Sequence, residues 1–168
     1  MWAKHKKQPG FTIVELLIVI VVIGILAAIT IVAYNGVQNK ANDTAIQSDL
    51  TNLAKKVEAF KVTSATDQYP TNLLVASLEA TASKAAYGNH YTPAGSNGYN
   101  LLYCRDSTFT NFAIIARSKS GKTFAIRNGK ALYESTTTLT TNGTQCPADG
   151  IPNPFSSSWT FVDGVWQI

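Results

Sequence analysis

Charge is scarce in this sequence. Of its 168 residues, 14% are Asp, Glu, Lys or Arg, against roughly 25% in ordinary soluble domains. Ser, Thr and Asn make up the difference, mostly after Asp43. A surface of hydroxyls and amides suits an extracellular protein better than a cytosolic one. Net positive charge is nearly absent from the body of the chain. Lys4, Lys6 and Lys7 lie in the first ten residues, and beyond them 11 Lys and Arg face 10 Asp and Glu. That balance argues against a nucleic-acid face spread over the domain, which would need clustered Lys and Arg.

Groups that do chemistry are sparse as well. A chain of this length makes one domain, with room for an appendage, and excludes a large multidomain enzyme. There are two histidines, His5 and His90, and neither has a visible base–nucleophile partner. No CxxC or Cys/His cluster supports a zinc or dithiol redox site. Ser118-Lys119-Ser120-Gly121-Lys122-Thr123 matches the end of a phosphate-binding loop. The first glycine of that motif would fall at position 116, which is Ala116, so a polar hairpin turn is the better reading. Asp149 and Asp163 offer oxygen ligands, but no EF-hand spacing surrounds them. No cofactor, metal or catalytic residue is assigned.

One long apolar run dominates what is present. From Leu16 to Ala33 no residue is charged, and Thr30 alone is clearly polar. As a helix this run spans about 27 Å, enough to cross a bilayer. Lysines before it, and none after it until Lys40, predict an N-in, C-out orientation. A cleaved secretory signal would have a shorter apolar core, with its small residues after the core. Here Ala27-Ala28 lies inside it. Glu15 stands at the edge of the run. A carboxylate at membrane depth is costly unless paired and marks a functional site by default. Its position equally allows it to lie at the headgroup level.

Lys6-Lys7-Gln8-Pro9-Gly10-Phe11-Thr12-Ile13-Val14-Glu15-Leu16-Leu17-Ile18-Val19-Ile20 resembles the N-terminus of type IV pilins and pseudopilins, with a short class III prepilin leader. Ile23-Gly24-Ile25-Leu26-Ala27-Ala28-Ile29 continues the likeness, which covers about a fifth of the chain. The resemblance implies cleavage by a prepilin peptidase between Gly10 and Phe11, N-methylation of Phe11, and an assembly role for Glu15. That carboxylate would pair with the Phe11 amine of a neighbouring subunit. Three segments follow: a cleaved leader over 1–10, a transmembrane and filament-core helix over 11–34, and an extracytoplasmic domain over 35–168. Many pilins carry proline where this chain has Val32. The implied partners are the same chain and other pilins, an assembly ATPase, a membrane platform and the cytoplasmic membrane before assembly. Adhesion, twitching motility or DNA uptake would be the output, and the product would be a structural subunit rather than an enzyme. A type II secretion pseudopilin shares every N-terminal feature. A membrane-tethered binding domain that never polymerises is the alternative of another class.

The rest of the chain predicts an α+β fold, a long helical spine packed on a small antiparallel sheet. Ile46, Leu50, Leu53, Val57 and Phe60 recur at helical spacing, so the helix is expected from about Phe11 to Val62, with Asn35-Gly36 as a possible kink. Leu73–Tyr87 reads as a short helix and Gly88–Gly98 as a loop. Strands are expected at 99–104, 111–117, 123–127, 131–134, 159–162 and 165–168. Hairpins are expected at Asn128-Gly129 and Asp163-Gly164, the second pairing Phe161 with Trp166. Cys104 and Cys146, an even pair beyond an export segment, read as one disulfide, with two unpaired buried thiols as the alternative. The bridge would close a loop of about 43 residues, worth on the order of 4 kcal/mol.

Overall fold

The computed structural model describes residues 10–73, 82–88, 100–137, 139, 142–152, 155–162 and 165–167. The first element is α1, a 51-residue helix over Ile13–Thr63. It runs through Asn35-Gly36 without a break. Its C-terminus tightens where the Ser64 amide donates to both Phe60 O, at 2.9 Å, and Lys61 O, at 3.2 Å. The chain forms two compact units that divide after Gln38.

In the second unit, the strands are β1 (Leu101–Arg105), β2 (Phe112–Arg117), β3 (Thr123–Arg127), β4 (Tyr133–Ser135), β5 (Phe155–Val162) and β6 (Val165–Gln167). All pairings are antiparallel, in the order β4-β3-β2-β1-β5-β6. Every expected strand is present, with ends shifted and β5 longer than expected. Phe161 pairs with Trp166 and Val162 with Val165, the expected register. The intervening Asp163-Gly164 lies outside the described residues. At Asn128-Gly129 the chain turns with Lys130 N donating to Arg127 O and Gly129 at φ +68°, a left-handed conformation that glycine adopts without steric cost.

Alternation along the strands builds two cores. One face carries Leu101, Tyr103, Phe112, Ile114 and Phe124, packed against Ile46, Leu50, Leu53 and Val57 of α1. The opposite face carries Leu102, Cys104, Ala113, Ile115 and Ala125, covered by Leu139, Cys146 and Ile151. Because both faces are buried, β2 is apolar at consecutive positions from Phe112 to Ala116.

Two local expectations change. The stretch around Cys146, for which no helix was expected, is a short helix, α2 (Asn142–Ala148), with Pro147 in its last turn. The helix expected over Leu73–Tyr87 is reduced, among the described residues, to a 3-10 turn at Lys84–Ala86 and an isolated bridge from Tyr87 to Ser118. Residues 74–81 of it, and 89–98 of the expected loop, lie outside the described residues.

Candidate functional site

The N-terminal site is built from the side chains of Phe11, Thr12 and Glu15 and from Gly10. Helix α1 begins one residue after Thr12. The Glu15 carboxylate accepts hydrogen bonds from the Thr12 amide at 2.8 Å and the Thr12 hydroxyl at 2.6 Å. The Thr12 hydroxyl oxygen in turn accepts the Glu15 amide at 3.2 Å. This is a capping box, in which two helix-end amides otherwise without intrahelical partners are satisfied reciprocally. Glu15 also lies in the first turn, where the positive end of the helix dipole favours an anion. Sequence reasoning singled out Glu15 but missed Thr12. The signal was legible, since Thr-x-x-Glu before an apolar run is the capping-box pattern.

Phe11 precedes the cap and is 83% exposed. Gly10 is exposed and non-helical, and a Cβ there would meet nothing within 4 Å among the described residues. Beyond the cap, every residue from Ile13 to Lys40 is exposed. Ile, Leu and Val therefore stand open on all sides of the helix, with Glu15 the single charged residue between Phe11 and Asn39. A helix apolar all round needs an apolar surrounding, whether lipid or other helices. Its length and composition suffice to cross a membrane.

The remaining singled-out residues are structural. Cys104 of β1 and Cys146 of α2 form a disulfide with Cα atoms 5.7 Å apart, and both are fully buried. Ser118–Thr123 is the hairpin turn between β2 and β3. Within it Ser120 donates to the Asp43 carboxylate, and Lys122 pairs with Glu134 of β4 at 2.8 Å. Asp149 is buried, and its carboxylate accepts from the Tyr133 hydroxyl and the Gln145 amide, each at 2.6 Å. Its oxygens are thus occupied by neutral donors that lock α2 to β4. Among the described residues, no group of three His, Cys, Asp or Glu side chains is placed to hold a metal.

The family model of the prokaryotic N-terminal methylation motif matches residues 5–31. The chain is 30% identical over 145 residues to the type IV wide pilus major component PilA4 of Thermus thermophilus, covering 84% of this chain and 99% of that protein. It is 26% identical over 117 residues to the type II secretion system core protein G of Klebsiella pneumoniae, covering 70% and 81% of the two chains. It is 49% identical over 43 residues to the type IV major alpha-pilin of Moraxella bovis, 26% of this chain and 27% of that one. No solved structure gives a significant match. An apolar helix with a capped first-turn glutamate, a disulfide-tied antiparallel sheet and these relatives agree, and the chain belongs to the type IV pilin and pseudopilin family. Its role is that of a pilin-like structural subunit and not of an enzyme.

Proposed function

We propose that the chain is a precursor cut after Gly10, methylated on the new amino group of Phe11, and polymerised through α1 into a surface filament. The observation that carries this reading is the all-round apolar exposure of residues 13–37, with one charged group, the Glu15 carboxylate, in the first turn. Before assembly the bilayer covers that surface. In a filament the same segment of neighbouring subunits covers it. Residues 1–10 are then the leader, 11–34 the membrane and filament-core segment, and 35–168 the extracytoplasmic domain. The lysines of the leader hold the N-terminus inside.

Glu15 sets the register. Cleavage leaves a cationic amine on Phe11, and a carboxylate buried among apolar helices is tolerable when paired with such a charge. Until the partner arrives, Thr12 supplies the carboxylate with hydrogen bonds. The freedom around Gly10 supports cleavage there. A peptidase would meet an exposed, non-helical backbone at that position. An assembly ATPase and a membrane platform would drive extraction and growth. Adhesion, twitching motility or DNA uptake would be the output.

The test is intact mass and N-terminal sequencing of sheared surface material, wild type beside Glu15→Ala. A methylated Phe11 terminus in wild-type filaments, with filaments lost in the variant, is expected. An uncut Met1 terminus found only in membranes would overturn the reading in favour of a tethered binding domain. The likeness to core protein G of Klebsiella pneumoniae favours a second reading, a secretion pseudopilin. Co-purification with a secretion apparatus, with no surface filaments, would select it.

A further inference from the structure

A depression of about 350 Å³ lies beyond the C-terminal end of α1, beside the loop that joins β1 to β2. Its lining combines aromatic rings (Phe60, Tyr69 and Phe109) with short hydroxyl and amide side chains (Ser64, Thr66 and Gln68). Among the described residues, two non-glycine residues have positive φ, and both border this depression. Phe109 lines it at φ 59°, and Asp67, at φ 53°, sits between Thr66 and Gln68. Asp tolerates the left-handed region, whereas a bulky residue there is an outlier that its surroundings must enforce.

The surroundings do enforce it. The Asp106 carboxylate accepts the backbone amides of Thr110 at 2.8 Å and Asn111 at 3.2 Å, and Asp106 O accepts the Phe109 amide at 3.3 Å. Phe109 O then accepts the Tyr69 amide at 3.0 Å, tying the two walls together. The Arg105 guanidinium lies 3.9 Å from the centroid of the Phe109 ring, and the Lys61 ammonium 4.9 Å from that of Tyr69. Both rings are therefore fixed before any ligand arrives, which lowers the entropy lost on binding.

We propose that this depression binds a carbohydrate, with a pyranose ring stacked on the face of Phe109 opposite Arg105 and its hydroxyls bonded to Ser64, Thr66 and Gln68. The face of an aromatic ring is negative and attracts the electropositive C–H hydrogens of a sugar face. Hydroxyl and amide side chains both donate and accept, as sugar hydroxyls do. Ser64 and Thr66 bond each other at 3.1 Å, and each hydroxyl keeps hydrogen-bonding capacity for a ligand hydroxyl. An anion would need a cation turned into the depression, and the two nearby cations lie over rings instead. The proposal does not depend on polymerisation.

Saturation-transfer NMR on the full chain, in a detergent without a sugar head group, tests it. The probes are methyl β-galactopyranoside, methyl β-glucopyranoside and N-acetylglucosamine. Phe109→Gly keeps the left-handed backbone accessible while removing the ring, and Gln68→Ala removes an amide without touching the loop. Transfer to the ring hydrogens of at least one probe is expected, with affinity falling about tenfold in each variant and unchanged in Lys55→Ala. An unchanged thermal midpoint in Gln68→Ala separates loss of a contact from loss of fold. No transfer from any probe to wild type, or equal affinity in Phe109→Gly, would overturn the proposal. So would variants that bind no less sugar but self-associate less, since the depression would then seat a second copy of the chain.

Discussion

Thr12 and Glu15 show how little sequence is needed to start a helix in an apolar medium. Each satisfies an amide of the other, so the first turn presents fewer bare donors to lipid. Replacing Thr12 by Val removes the hydroxyl at constant shape. The expected cost is about 1 kcal/mol of helix start, read as roughly fivefold faster amide exchange at residues 13–15 in micelles. Asp106 plays the corresponding part in the loop after β1. Partial burial pushes its carboxyl pKa up. Hydrogen bonds from the side chain and backbone of Asn111, then from Thr110, outweigh that and hold it well below its ordinary value of 3.8. An acid depressed on folding contributes stability that is full above its unfolded pKa and is lost as pH falls through the folded one. The stability gap between wild type and Asp106→Asn is therefore expected to be constant from neutrality to about pH 5 and to shrink below about pH 4. Urea melts across that range measure it. Glu15 was legible from its charge within an apolar run. Asp106 was not, because its donors Thr108, Thr110 and Asn111 look like any polar loop until the turn folds back.

At the scale of elements, apolar runs bounded by turn residues revealed the strands, because a strand buried on both faces reads as a continuous apolar run and Asn-Gly or Asp-Gly suits a tight hairpin. α2 escaped detection. At seven residues it is too short to show a periodic apolar stripe. It is held by contacts distant in sequence, the disulfide to β1 and the hydrogen bonds that Asp149 accepts from Tyr133 and Gln145. Gly150, just beyond it, is equally a tertiary matter. At φ +86°, a Cβ there would lie 2.1 Å from the Arg127 guanidinium. Replacing Cys104 and Cys146 together by Ser is expected to cost about 4 kcal/mol through the loop of unfolded chain it frees. Calorimetry of the oxidised protein beside the double variant reads this. A fall below about 1 kcal/mol would mean that the Asp149 hydrogen bonds alone hold α2.

At the scale of the whole molecule, the second unit encloses four tyrosines whose titration is tied to folding. Burial pushes Tyr103 and Tyr87 well above their ordinary value near 10. Burial, followed by a hydrogen bond to a carboxylate, does the same for Tyr69 (Glu58) and Tyr133 (Asp149). Each proton is held more tightly in the folded state. The linked stability is full below the unfolded pKa and falls as pH rises through the folded values. Denaturant midpoints should hardly change from pH 7 to about pH 9 and then drop steeply above about pH 10. Tyr69→Phe with Tyr103→Phe should flatten that drop.

The sequence by itself determined the class of protein and the N-terminal half of α1. Apolar composition, the placement of lysines and a motif of adjacent residues are local properties, and they act before any domain folds. The strands and the outer hairpin's register were also local, set by short apolar runs and two-residue turns. Tertiary structure alone decided the second core, the helix at Cys146 and the buried Asp149 lock. Each of these depends on groups brought together across the sheet. Their energies come from burial and from hydrogen bonds between residues far apart in the chain, which no local pattern records.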